Sequence, residues 1–147
     1  MKRTPLGLIG QLEIRDNKTK KLLRRVRNIV VDVGLAQVAL LLTSGSAEHL
    51  SKACVGIGTA AAVVGDTDLG SQVDFQTPTA SRVTTSVTND TAQFVSVHTA
   101  PVGGWAITEY GIKTNANVLF NRVVFAAINL AQGNELEFTY KLQATRV

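Results

Sequence analysis

Aromatic residues, charge and cysteine are all scarce in this chain. Aromatics make up 5% of its 147 residues and charged side chains 18%, below the ~25% charged content usual for soluble domains. Val, Thr, Ala and Asn take up the space, a composition that suits a β protein with many turns. The single cysteine, Cys54, excludes an intrachain disulfide. Inside Ala53-Cys54-Val55-Gly56-Ile57 it reads as a small buried hydrophobe, and assembly in a reducing cytoplasm is compatible with it. A secretory signal is not expected, because Lys2 and Arg3 are followed by only a short apolar stretch before Gln11 and Glu13. The most apolar run, Val33 to Leu42, is about half the ~20 residues a membrane span needs, and Gln37 interrupts it.

Patterns that carry chemistry are equally sparse. His49 and His98 form no H-x-x-x-H motif or Cys/His cluster, so no zinc site is expected. No G-x-S-x-G nucleophile elbow occurs. Asp66, Asp68 and Asp74 lack the D-x-D-x-D-G spacing of a calcium loop and read as turn residues. Gly56-Ile57-Gly58-Thr59-Ala60-Ala61 matches G-x-G-x-x-A, but no βαβ unit follows. Its glycines read as a strand end that something approaches closely. Glu135 and Glu137 share the wet face of one strand. The expectation is a protein that is not an enzyme, without catalytic, cofactor-binding or metal residues. A triad assembled in space through His98 is the one catalytic arrangement that the sequence leaves open.

What the chain does have is alternation. Leu136, Phe138, Tyr140, Leu142 and Ala144 point one way, with polar residues between them, as in a strand with one buried face. Val118–Ala126 and Ala106–Lys113 read as two further strands. The turn clusters 114–117 and 129–134 suggest that the three form an antiparallel meander. Upstream, residues 8–15 and 20–31 predict a β-hairpin about Asp16-Asn17-Lys18-Thr19. Asp32 is placed as the N-cap of the one convincing helix, about 32–43, whose broad apolar stripe predicts burial against a sheet. Strands are expected at 51–57 and 72–76, and a hairpin of 82–88 with 92–99. About eight or nine strands and one helix predict a mainly β fold, an antiparallel sandwich or partly closed barrel of a single body (residues 29–147) with an N-terminal hairpin arm.

Charge is uneven along the chain. Residues 1–28 hold nine Lys or Arg against Glu13 and Asp16, a net +7, while the remainder holds six basic and nine acidic residues, a net −3. The basic segment is the one feature with functional leverage. Lys2, Arg3, Lys18, Lys20, Lys21, Arg24, Arg25 and Arg27, with Leu12 and Ile14, are therefore the candidate partner-docking residues. They suit an acidic protein surface or a phosphate backbone, although no aromatic lies among them to stack on bases. The simpler alternative is a solvated strand edge guarded by charge. Glu109 interrupts the apolar face of Trp105 and Ile107 and needs a partner, for which Arg82 and Arg122 are the candidates.

Five segments taken in order carry a resemblance. They are Ala53-Cys54-Val55-Gly56-Ile57-Gly58-Thr59, Gly65-Asp66-Thr67-Asp68-Leu69, Ile107-Thr108-Glu109-Tyr110-Gly111-Ile112, Leu119-Phe120-Asn121-Arg122-Val123-Val124-Phe125 and Gly133-Asn134-Glu135-Leu136-Glu137-Phe138-Thr139-Tyr140. Together they are similar to small β-rich virion proteins of tailed bacteriophages, both capsid decoration (cement) proteins and the N-terminal domains of tail-collar fibre proteins. The resemblance covers about residues 29–145 and leaves the basic segment out. It implies a structural protein of the virion, assembled in the host cytoplasm and bound to the major capsid protein or other virion subunits as a dimer or trimer. A role in reinforcing the head shell is the first expectation. Tail or fibre attachment is the second and nucleic-acid binding the third. The apolar content of 45% also exceeds what a wet sandwich requires, which favours association between copies.

Overall fold

The computed structural model describes residues 5–44 and 48–146. Ten strands and one helix follow one another: β1 (Leu6–Asp16), β2 (Leu22–Arg27), β3 (Ile29–Val30), α1 (Asp32–Thr43), β4 (Leu50–Gly56), β5 (Gln72–Gln76), β6 (Thr79–Val83), β7 (Thr91–Thr99), β8 (Trp105–Thr114), β9 (Leu119–Leu130) and β10 (Glu135–Arg146). They form two five-stranded antiparallel sheets. Sheet A has the order β2-β1-β10-β7-β6 and sheet B the order β3-β9-β8-β4-β5. The fold is a β-sandwich with one helix and no closed barrel, in line with the alternating strands and turn clusters of the sequence.

The core lies between the sheets and uses the scarce aromatics economically. From sheet A, Leu12, Ile14, Leu136, Phe138 and Tyr140 face Val55, Tyr110, Ile112 and Val123 of sheet B. Tyr110 stacks on Phe138 across the interface, with ring centroids 5.4 Å apart and planes 11° from parallel. Offset stacking of this kind adds about 1 kcal/mol beyond the area buried. A smaller core covers the outer face of sheet B, where Leu69 packs with Val31, Cys54 and Leu119. Cys54 is fully buried there, and burial pushes its thiol up to about 11.

Four expectations need correction. First, residues 105–145 are not one meander. β8 and β9 pair in sheet B, but β10 crosses to sheet A and pairs with β1 and β7. The alternation of β10 identifies its buried face, and that face meets β8 across the sandwich, not alongside it. Second, the hairpin expected as part of an arm over residues 1–28 belongs, from Leu6 to Arg27, to the body. β1 pairs with β10 over all its residues, from Leu6↔Arg146 to Asp16↔Leu136. Leu12 and Ile14 are fully buried core residues, not docking residues. Third, the second hairpin is built from β6 and β7, and residues 84–90 form its loop. Asp90 organises that loop by accepting the backbone N–H groups of Thr85, Ser86 and Val87, which hold its carboxyl well below the usual range. Fourth, α1 is not largely buried.

The helix rests on β9 through a narrow contact. A Cβ at Gly34 would lie 2.2 Å from the Phe120 carbonyl oxygen, so only glycine lets the helix approach this closely. Val38 also packs on the core, but Leu35, Leu40, Leu41 and Leu42 remain exposed. The N-cap is Val31 instead of Asp32, and no side chain caps the first turn. Asp32 instead donates its backbone N–H to the Val64 carbonyl, tying the start of the helix to the loop after β4.

Because Leu12 is core, Leu12→Ala should destabilise the protein by about 3 kcal/mol. Chemical denaturation checks this. A loss below about 1 kcal/mol would mean that β1 contributes little to the core.

Candidate functional site

The docking residues expected from the sequence fall along the β1–β2 hairpin, and the structure sorts them. Lys2 and Arg3 lie outside the described residues. The turn between the strands is set by Asp16, whose Oδ1 accepts from the Thr19 backbone N–H at 2.7 Å and from the Thr19 hydroxyl at 2.9 Å. Lys20 closes the turn at φ 60°, and its Nζ pairs with Glu137 at 2.8 Å. Arg25 and Arg15 share Glu13, at 2.9 and 3.1 Å. Those three cations are spent within the molecule. Among the described residues Lys18, Lys21, Arg24 and Arg27 have no ion pair. They lie on or beside β2, the outermost strand of sheet A, whose second edge has no neighbouring strand. Arg27 borders a groove of about 380 Å³ walled mainly by Ile29, Ala61, Ala62 and Val124, with Thr59 and Arg122 also in its lining. The result is an exposed strand edge with unneutralised positive charge and an apolar hollow at one end.

A second polar cluster lies under the loop between β4 and β5. Glu109 on β8 is fully buried. Its Oε1 accepts the backbone N–H groups of Gly58 at 3.0 Å and Ser71 at 2.7 Å, and its Oε2 accepts that of Gly70 at 2.9 Å. Arg122 on β9 meets Oε2 at 3.0 Å and also binds Asp66 at 2.9 Å and the Ala60 carbonyl at 3.0 Å. Burial alone would raise the Glu109 pKa, but the three N–H donors and the guanidinium outweigh it and hold the carboxyl below its ordinary value. Gly56 and Gly58 are glycines for a concrete reason, since a Cβ at either would lie within 2.6 Å of Glu109 Oε1. The expected partnership of Glu109 with Arg122 is therefore present, whereas Arg82 is exposed on β6 in the other sheet. Asp66 is the member that sequence reasoning missed. It was read only as a turn residue, a role it also fills by accepting the Val63 N–H at 2.9 Å.

A third cluster has the connectivity of a catalytic triad. His98 Nδ1 donates to Asp74 Oδ2 at 2.7 Å, and His98 Nε2 lies 3.2 Å from the Ser96 hydroxyl. Acid, imidazole and hydroxyl in this order are what an activated nucleophile requires. Ser96, however, is only 4% exposed, and His98 is fixed edge-on against Phe138 with ring centroids 5.3 Å apart. The cluster instead ties β5 of sheet B to β7 of sheet A on the side of the sandwich opposite the basic edge. Asp68 is likewise engaged, with Lys113. Asp66, Asp68 and Asp74 thus each face a different cationic or imidazole partner, and no group of three metal-ligating side chains gathers among the described residues.

Two pH effects follow. The Glu109 pKa is lowered from 4.5, so its contribution is present above that pH and is lost as pH falls through the folded value. Glu109→Gln should cost about 3 kcal/mol at neutral pH, because Arg122 keeps a buried charge with one partner fewer. Its stability should also fall less steeply in acid than that of the parent. Denaturation at pH 7 and pH 4 measures both effects, and an unchanged midpoint at pH 7 would refute the clamp. For His98, burial lowers the pKa from 6.5 despite the opposing influence of Asp74. The unfolded chain therefore takes up the proton first, and stability should begin to decline as pH drops below 6.5. His98→Gln should flatten that decline; an identical slope in both proteins would assign it elsewhere.

Comparison with family models, with curated proteins and with solved structures finds no match to this chain.

Proposed function

We propose that this chain is a structural protein of a tailed-bacteriophage virion, a capsid decoration protein that docks on the outside of the head shell and reinforces it. The observation supporting docking is the β2 edge. Among the described residues its outer main-chain groups face no neighbouring strand, and Lys18, Lys21, Arg24 and Arg27 bring positive charge that no ion pair there neutralises. An extended segment of an acidic partner can add to such an edge, with charge steering the encounter and backbone pairing holding it. Exposed ion pairs contribute only about 0–1 kcal/mol each, so main-chain and apolar contacts must supply most of the affinity. The partly exposed Leu22 and Ile29 take the apolar role first given to Leu12 and Ile14. The virion setting rests on the resemblance of the segments between residues 53 and 140.

Attachment at the tail or to a fibre would use the same edge and differ only in its position on the particle. Nucleic-acid binding is the third reading, and no aromatic side chain lies on the hairpin to stack with bases.

Removing residues 1–28 would delete core strand β1, so the direct test is charge reversal on the intact fold. Arg24→Glu/Arg27→Glu should weaken binding to undecorated particles at least about tenfold, and the parent should bind more weakly as salt rises. Equal binding by parent and variant would overturn the docking role. Binding of duplex DNA with a steep salt dependence, without binding to particles, would favour the nucleic-acid reading.

A further inference from the structure

The exposed face of α1 has no counterpart elsewhere in the described molecule. From Val33 to Thr43 the helix carries no charged residue, and Gln37 and Thr43 are its only polar side chains. Leu35, Ala39 and Leu42 recur at i, i+4 and i+7 on one side, with Leu35 51% and Leu42 79% exposed. Leu40, further round the helix, is also exposed. Val63 and Val64 extend the patch past the helix start, where Val64 is bonded to Asp32. Water is a poor neighbour for a continuous apolar surface of this kind.

We infer that this face is a two-fold interface, and that its occupant is α1 of a second copy of the same chain. Charge selects the occupant. About a two-fold axis each side chain meets its own mate or a neighbour from the same stripe, so like charges would be brought together. This stripe carries none and is complementary to itself. The basic β2 edge, by contrast, would repel its own copy. An acidic or basic partner would find no countercharge on the helix to set its register.

Sequence spacing also fits the symmetry. In an antiparallel crossing centred near Ala39, Leu35 of one copy meets Leu42 of the other, and the small Ala39 pair at the axis lets the helices approach to about 8–10 Å. Size then determines strength. A helix of 12 residues is about 18 Å long and about 10 Å wide. With Val63 and Val64 at its shoulder, each copy would bury roughly a few hundred Å², below the roughly 800 Å² per partner of a standard specific interface and in the range of weak, transient contacts. The pairing is therefore a reversible dimer that grows with concentration. It is independent of what the basic edge binds.

The full chain should show a concentration-dependent shift from monomer to dimer in sedimentation equilibrium. Leu42→Glu places a charge near the axis at a highly exposed position, so it should leave folding intact by circular dichroism and weaken the dimer at least about tenfold. Ala39→Cys supplies a readout that does not depend on affinity, since mild oxidation should yield a disulfide-linked dimer. Val102→Cys, on an exposed turn elsewhere in the chain, should not cross-link under the same conditions. A chain that stays monomeric at its highest soluble concentration would overturn the inference. So would a dimer that is indifferent to Leu42→Glu and does not cross-link through position 39. Loss of particle binding in Leu42→Glu without any dimer in the parent would assign the face to a different partner and equally overturn it.

Discussion

A single buried carboxylate organises the outer half of this sandwich. Glu109 sits beneath the β4–β5 loop and accepts hydrogen bonds from three backbone N–H groups of that loop while pairing with Arg122. Without these donors a buried carboxylate would be strongly unfavourable, and without the carboxylate three loop N–H groups would lack their acceptors. The loop is therefore held flat on sheet B, and Leu69 is placed over Cys54 and Leu119 to make the second core. The glycines at 56 and 58 are a consequence of the carboxylate's position. Arg122 extends the arrangement to Asp66 and Ala60, so the loop is tied to both β8 and β9.

That packing explains why the molecule has free surfaces where it does. The loop occupies the outer face of β4 and β8, leaving α1 only the strip above β9. The helix meets this strip through Gly34 and Val38 and turns its leucines outward. On the far side, the Asp74–His98 bond joins the two sheets between β5 and β7. On the near side, β2 ends sheet A with Arg24 and Arg27, which have no ion pair among the described residues. A rigid scaffold tied internally by its acids thus leaves two contrasting surfaces, one basic edge and one charge-free helix face.

Much of the fold was legible in the sequence because alternation is local. The run from Leu136 to Ala144 identified a half-buried strand, and the turn residues at 16–19, 114–117 and 129–134 marked real reversals, although Asn129 and Leu130 still belong to β9. Pairing was not legible, because a period of two reports which face is buried and not which strand lies alongside. That is why β10 was expected beside β9 and is found beside β1 and β7. Net charge misled in the same way. The basic residues of the hairpin suggested a separate arm, yet its alternate positions, Leu12 and Ile14, carry the core signal. For Glu109 the sequence offered Arg82 and Arg122, since a lone carboxylate among Trp105 and Ile107 needs a cation, and the structure pairs it with Arg122. Asp66 and the triad-like Asp74–His98–Ser96 set depend on contacts between distant segments, which local spacing does not encode. The helix was recognised from its spacing, but its exposure depended on the loop having taken the sheet face first.

The proposed role is that of an assembly unit whose basic edge contacts the shell of a phage particle. Electron microscopy of the purified particle, at a resolution that separates the two sheets, tests that proposal most directly. It should show the sandwich on the outside of the head with β2 turned toward the capsid surface. Density for the chain only inside the particle, at the tail alone, or on the head with β2 facing solvent would contradict it.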